Sequence, residues 1–346
     1  MNTKFIIKCL VIIILAIILG MIVKLYIDSA NNNSVTDNNF PRRFPMEEDK
    51  TKETTAEDVD EGEKVNSKEI NLSNYDTNLT ISEEGTYTLT GSFTNSVIVN
   101  ASGEVTLILD GVNIESSMTS AITNATTNPL TIVLAENSTN ILSDGGSSEY
   151  DGCIFSYGEL TIEGKGTLNI NGKQDDGEGI ATKSANLIIN SGIINVTSQD
   201  DGLNTGGSGG SIIINGGTIF IKANGDGIDS NGSLTINGGE TYTIGSSIGG
   251  DAGIDTDEGF VFNGGKVIAL GSDMLEKAES KSKQKAAYFE LNSKISSGSK
   301  IEVKNESGDI VASFEAKEDF KTLIISNEDI KDEVYSLYVN GEKVDL

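Results

Sequence analysis

The chain contains no histidine and no tryptophan, and only two cysteines and three prolines among 346 residues. Without histidine, Ser-His-Asp and Cys-His nucleophile arrangements are excluded, as are His-ligated zinc and iron sites. Without tryptophan, a sugar-stacking platform has to be built from tyrosine or phenylalanine. Cys9 and Cys153 are too few and too differently placed for a disulfide framework. Cys153 reads as a small buried hydrophobe. Arginine is confined to Arg42 and Arg43, and 25 Lys and Arg face 52 Asp and Glu. The resulting formal charge of -27 disfavours nucleic acid and anionic membranes as partners. The abundant ligand atoms are carboxylate, amide, hydroxyl and backbone oxygens, a hard set that suits Ca²⁺ and, less well, Mg²⁺.

Long apolar runs are scarce as well. One, Cys9 to Val23, spans 15 residues between Lys8 and Lys24. Leu25, Tyr26 and Ile27 extend it, past a snorkelling Lys24, towards the roughly 20 residues of a membrane span. Ser29-Ala30 offers a poor cleavage site. Residues 1–30 are therefore expected to be a signal anchor or a cleaved signal peptide. Either would export the remainder to the cell surface or the medium, since the positive flank comes first. Residues 31–69 are polar and acidic and are expected to be a disordered stalk.

From Ile70 the texture becomes short strands rich in Ile, Val, Leu and Thr, separated by Gly, Asn, Asp and Ser; Val97-Ile-Val, Val105-Thr-Leu-Ile-Leu and Leu130-Thr-Ile-Val-Leu are examples. Leu187-Ile-Ile-Asn-Ser-Gly, Ile212-Ile-Ile-Asn-Gly-Gly, Leu234-Thr-Ile-Asn-Gly-Gly and Phe260-Val-Phe-Asn-Gly-Gly are copies of one unit. A second register runs through Ile154, Ile180, Leu203, Ile228 and Ile254, and a third through Ser156, Thr182, Thr205, Ser230 and Thr256. A period of about 25 residues marks a solenoid. Three short strands per period fit an all-β, right-handed parallel β-helix better than a propeller, whose blades need about 40 to 50 residues. The repeats are expected over 70–272. Residues 273–346 are expected to be a β-rich region that completes or caps the helix, with a short helix over Met274 to Ala287.

Acidic turns interrupt the repeats, and Asp151, Asp176, Asp201, Asp226 and Asp251 recur every 25 residues. Between Asp151 and Phe262 there are 15 acids, four lysines and no arginine. Carboxylates stacked one coil apart, about 4.8 Å, repel by roughly 3 kcal/mol per pair at an effective dielectric near 20. Bound Ca²⁺ relieves this, because it accepts six to eight oxygens in loose geometry. The expected ligands are Asp175, Asp176, Asp200, Asp201, Asn204, Asp226, Asp229, Asp251, Asp255 and Asp257. The competing explanation is a solvated face with ordinary Asp-Gly turns.

The Leu-Thr-Ile-Asn-Gly-Gly strands, the Asp-Asp-Gly and Asp-Gly-Ile-Asp turns and the strand-like tail resemble the carbohydrate-binding parallel β-helix family of clostridia, related in shape to pectate lyases. The likeness covers about Ile70 to Leu346. It implies a calcium-bearing β-helix that binds acidic polysaccharide of the polygalacturonate type, with cellulose as a second ligand. The resemblance maps the calcium turns onto Asp175, Asp176, Asp200, Asp201, Asp226, Asp229, Asp251 and Asp255.

Calcium bridging of protein and uronate carboxylates is thus the leading expectation for a monomeric, non-catalytic surface binder of plant or cell-wall glycan. Lys165, Lys183 and Lys222 are candidate contacts to sugar carboxylates. Tyr150, Tyr157, Tyr242 and Phe220 are candidate platforms. The rivals are a polysaccharide lyase and a structural adhesin. A lyase needs a metal and a strong base; with no arginine in the repeats, Lys183 is the best candidate base.

Overall fold

The computed structural model describes residues 68–117, 119–145, 150–173 and 177–345. The leader, nearly all of the stalk, Cys9, Asp175 and Asp176 lie outside the described residues. Among the described residues no helix is long and apolar enough to cross a membrane.

Coil follows coil as the repeat registers require. A central coil contributes three strands, such as Ile180–Lys183, Leu187–Ile189 and Ile193–Thr197. Each strand pairs in parallel with its counterparts one coil away on either side. Ile180 opposes Ile154 and Leu203, Leu187 opposes Leu160 and Ile212, and Ile194 opposes Leu168 and Ile219. The first strands of successive coils stack into an eight-stranded sheet, from Leu79–Ile81 to Asp255–Thr256, and the parallel β-helix makes about seven turns.

Side-chain alternation explains the pairing. Leu130–Leu134, for example, alternates buried and half-buried positions. Ile154, Ile180, Leu203, Ile228 and Ile254 are all fully buried in one continuous core, each stabilising by about 1.5–3 kcal/mol relative to exposure. Slipping a strand by one residue would turn this apolar set outward. The hydroxyls of the Ser156, Thr182, Thr205 and Ser230 register are satisfied locally. Ser156 Oγ donates to the Gly158 carbonyl at 2.7 Å, Thr182 Oγ1 donates to the Ala185 carbonyl at 2.6 Å, and the Thr205 and Ser230 hydroxyls meet at 2.8 Å. Cys153 is a free, fully buried thiol, as its sequence context implies.

One corner carries an amide ladder. Asn215, Asn237 and Asn263 each donate from Nδ2 to Oδ1 of the Asn one coil before, at 2.8 Å, and Asn190 ends the row on the Glu163 carboxylate at 3.1 Å. The second glycine after three of these residues turns the corner at positive φ: Gly217 (94°), Gly239 (80°) and Gly265 (83°). A Cβ at Gly239 would also lie 2.5 Å from the Gly217 carbonyl oxygen, so the position needs glycine twice over.

The tail ends the stack by reversing direction. Phe320–Ser326 runs antiparallel to the last long strand, Lys266–Gly271, and to Ala286–Ile295. A separate four-stranded antiparallel sheet contains Ile310–Glu315, Lys300–Lys304, Ser336–Val339 and Glu342–Lys343. The short helix expected over Met274 to Ala287 does not form. The backbone N–H groups of Glu279 and Gln284 instead donate to the Phe260 and Phe262 carbonyls, at 2.8 and 2.9 Å. The open edge of the last coil needs those donors, and that requirement outweighs a weak helical pattern.

Candidate functional site

The buried Ile154, Ile180, Leu203, Ile228 and Ile254 set the frame for the acidic turns. Two residues before them stand Gly152, Glu178, Asp201, Asp226 and Ala252. Three before stand Asp151, Gly177, Asp200, Gly225 and Asp251. One after them, the outward column reads Phe155, Ala181, Asn204, Asp229 and Asp255. Rung hydrogen bonds hold the frame: Gly179 N–H donates to the Asp201 carbonyl at 2.9 Å and Gly202 N–H to the Asp226 carbonyl at 3.0 Å. The 25-residue count therefore misaligns three of its five members. Asp201 and Asp226 are true neighbours, whereas the coil before them presents Glu178, and Asp151 and Asp251 sit one position aside.

Glycine permits the close approach. A Cβ at Gly202 would lie 2.1 Å from Ile221 Cγ2 and 2.5 Å from the Gly227 carbonyl oxygen. A Cβ at Gly225 would lie 2.4 and 2.5 Å from Oδ1 of Asp200 and Asp201. The carboxylates are thereby drawn against backbone. Asp201 Oδ1 accepts from Asp226 N–H at 2.7 Å, and Asp226 Oδ1 accepts from Ala252 N–H. Asn204 Nδ2 donates to Asp201 Oδ2 at 2.8 Å and across the coil to Asp229 Oδ2 at 3.1 Å.

Glu178, Asp200 and Asp201 each offer an oxygen, and these oxygens all lie within 4.8 Å of one another. Glu178 is 7% exposed, and among the described residues its Oε2 has no hydrogen-bond partner. Burial, then the Asp151 carboxyl beside it, pushes the Glu178 carboxyl far above the usual range. Burial also raises Asp201, against the pull of the Asn204 amide. Asp226 and Asp229 are both pushed up to about 7, by burial first. The main opposing effect at Asp226 is the Ala252 N–H, and Asp201 and Asp255 add like-charge repulsion at both residues. Asp251 adds to the field on Asp201 and Asp226, and the exposed Asp257 to that on Asp229.

Among the described residues no lysine pairs with Asp201, Asp226, Asp229, Asp255 or Asp257. Among the described residues the coils bring Glu178, Asp200 and Asp201 together and set Asp229 beside Asp255. The donor set is all oxygen, and the buried Glu178 Oε2 has room in its hydrogen bonding for a cation. These residues fit a hard divalent ion.

Two members were not among the expected ligands. Glu178 was legible as an acid in the turn, but the count of 25 pointed to Asp176. Glu276 comes from outside the repeat; its Oε2 accepts from Thr256 Oγ1 at 3.1 Å, and burial raises its carboxyl.

The remaining candidates separate. Lys165 is exposed and 3.8 Å from Glu136. Lys183 is exposed on the strand Ile180–Lys183, two residues beyond Ala181 on the same outward face. Lys222 is 2.5 Å from Glu318 of the tail. Tyr242 stacks on Phe220 at 5.6 Å and is covered edge-on by Phe314 at 5.8 Å, which leaves it 5% exposed and no open face for a sugar. Lys222 and Tyr242 hold the tail against the coils. Tyr150 and Tyr157 are partly exposed and meet at Phe155.

A family model described as "Carbohydrate-binding domain-containing protein" matches residues 75–331. A carbohydrate-binding domain-containing protein of Acetivibrio thermocellus is 30% identical over 158 residues, 42% of this chain and 54% of that protein. The chain thus spans about half the length of that curated relative. A solved structure, a gadolinium derivative of the polysaccharide lyase-like protein from C. thermocellum, is 27% identical, with a TM-score of 0.47 over 59% of this chain and 88% of that chain.

Proposed function

The chain belongs to the family of carbohydrate-binding domain-containing proteins, and from that premise we propose that its acidic edge performs calcium-dependent, non-catalytic binding of acidic polysaccharide at the cell surface. The observation that carries the reading is the coil register of Glu178, Asp200, Asp201, Asn204, Asp226 and Asp229. It gathers buried and half-buried oxygens, and among the described residues no lysine pairs with Asp201, Asp226 or Asp229.

Ca²⁺ would be held by Glu178, Asp200 and Asp201, with Asp226, Asp229 and Asp255 on the following coils. When bound it supplies positive charge to carboxylates that are otherwise pushed towards protonation, and it keeps coordination positions for sugar oxygens. The chain's own residues do the rest. Asn204 keeps Asp201 and Asp229 aimed together, the glycine turns keep the carboxylates close to backbone, and the regular stack repeats the arrangement along a linear polymer. A uronate polymer suits this edge because its carboxylates are hard oxygen ligands of the same kind. A binder is favoured over a lyase because no arginine occurs in the sequence from 70 to 346.

Retention on immobilised polygalacturonate tests this directly. Binding in millimolar Ca²⁺ that is released by a chelator is expected. Equal retention in both buffers, or none in either, would contradict the proposal.

A further inference from the structure

Phe155 occupies the outward column whose later members are Ala181, Asn204, Asp229 and Asp255. An apolar ring there, on the solvent side of the sheet, is nevertheless 5% exposed. Two tyrosines cover it. Tyr150 lies 5.5 Å from Phe155 with the rings tilted by 34°, and Tyr157 meets Phe155 edge-on at 4.9 Å. The two tyrosines are themselves T-shaped at 6.4 Å, and both stay partly exposed. Phe155 is therefore a floor that fixes two amphipathic rings at the surface, unlike Phe260 and Phe262, which fill the core.

This trio adjoins the acidic edge. Tyr150 directly precedes Asp151, whose carboxyl raises that of Glu178. Cys153 N–H donates to the Glu178 carbonyl at 3.0 Å, so the turn bearing Tyr150 is one rung from the coil bearing Glu178. From Phe155 to Asn204 is two rungs, about 10 Å. A polymer lying along this edge passes from aromatic rings to carboxylates within a few sugar residues.

Resting on the proposed function above, we propose that Tyr150 and Tyr157, backed by Phe155, form a pyranose-stacking subsite that seats a ring of the same polymer whose neighbouring carboxylate meets the Glu178–Asp201 cluster. The apolar C–H face of a pyranose suits a neutral ring platform, and the phenolic hydroxyls can exchange hydrogen bonds with its hydroxyl groups. The subsite supplies contact area and orientation, while the acidic cluster supplies the charge selectivity.

The test titrates the full chain and its Tyr157→Ala, Tyr157→Phe and Tyr150→Ala/Tyr157→Ala variants with hexagalacturonate in Ca²⁺, and each protein with Ca²⁺ alone. Because the chain has no tryptophan, tyrosine emission reports the rings directly. The expected results are about tenfold weaker oligosaccharide binding in Tyr157→Ala, near-normal binding in Tyr157→Phe, unchanged Ca²⁺ affinity, and ligand-induced change in tyrosine emission that the double variant loses. Unchanged hexagalacturonate affinity in the double variant, with Ca²⁺ binding intact, would overturn the subsite and leave the proposed function standing. If the unaltered protein ignores hexagalacturonate, a glycan array compares it with the double variant. A glycan retained by the first and lost by the second supports the subsite and refutes the acidic-polymer reading; no retained glycan overturns both.

Discussion

Asn204 and Asp229 face each other across one coil, with the amide nitrogen of the first 3.1 Å from a carboxylate oxygen of the second. The same nitrogen is 2.8 Å from Asp201. One neutral side chain thus separates two carboxylates that would otherwise confront each other.

Asn204→Asp should remove the shared donor and add a third negative charge. In chelator the melting temperature should fall, by an amount equivalent to about 1–3 kcal/mol. In saturating Ca²⁺ most of the loss should be recovered, because the new carboxylate is also a ligand. Thermal melts in the two buffers measure this; an equal loss in both would contradict it.

Stability should depend on pH in an unusual sense. Asp226 and Asp229 are pushed up to about 7 from the ordinary 3.8 of an aspartate. Between those values the folded chain holds protons that the unfolded chain has released. In chelator, stability should therefore fall as pH rises from about 4 to about 7 and then level off. Ca²⁺ affinity should rise over the same interval, as cation and proton compete. Denaturant melts across this range, repeated on Asp226→Asn/Asp229→Asn, should show the slope and its flattening.

Glu178→Gln should separate charge from shape. Removing a buried carboxyl with one unpartnered oxygen should leave the metal-free protein at least as stable. It should also weaken Ca²⁺ binding by about tenfold or more, because a charged ligand becomes a neutral one. Calorimetric titration with Ca²⁺ decides the point, with circular dichroism to check the fold.

Gly202→Ala should be costly, because its Cβ would sit 2.1 Å from Ile221 Cγ2 inside the core. A loss of about 1–3 kcal/mol in urea unfolding is expected, with weakened Ca²⁺ binding as the turn shifts. Gly209→Ala is the control. Its φ of 87° is itself unfavourable to alanine, a strain that Gly202 does not carry, but nothing lies within 4 Å of the new methyl, so about 1 kcal/mol is expected and no change in Ca²⁺ affinity.

The coils were legible because their core positions repeat without interruption. Ile180 had to oppose Leu203 whatever the turn between them did, and the structure pairs them. The acids were legible as a group but not in detail. Turns absorb insertions, so a constant count of 25 drifts against the strands and substitutes Asp176 for Glu178. Glu276 and the burial of Tyr242 under Phe314 were not legible at all. Both depend on where the tail folds back, and the tail carries no period to extrapolate. The expected helix after Met274 failed for a related reason: the pattern was local, and the unpaired carbonyls of Phe260 and Phe262 were not.

A parallel stack has no natural last member, since every rung displays the same row of amides and carbonyls as the one beneath. Phe320–Ser326, running the other way beside Lys266–Gly271, changes that row to the uneven spacing of an opposed pair. Phe320–Ser326 is itself enclosed, because Ala286–Ile295 pairs antiparallel along its other side. The row that the last coil would offer to a foreign rung is thus already taken, which blunts fibre growth from that row.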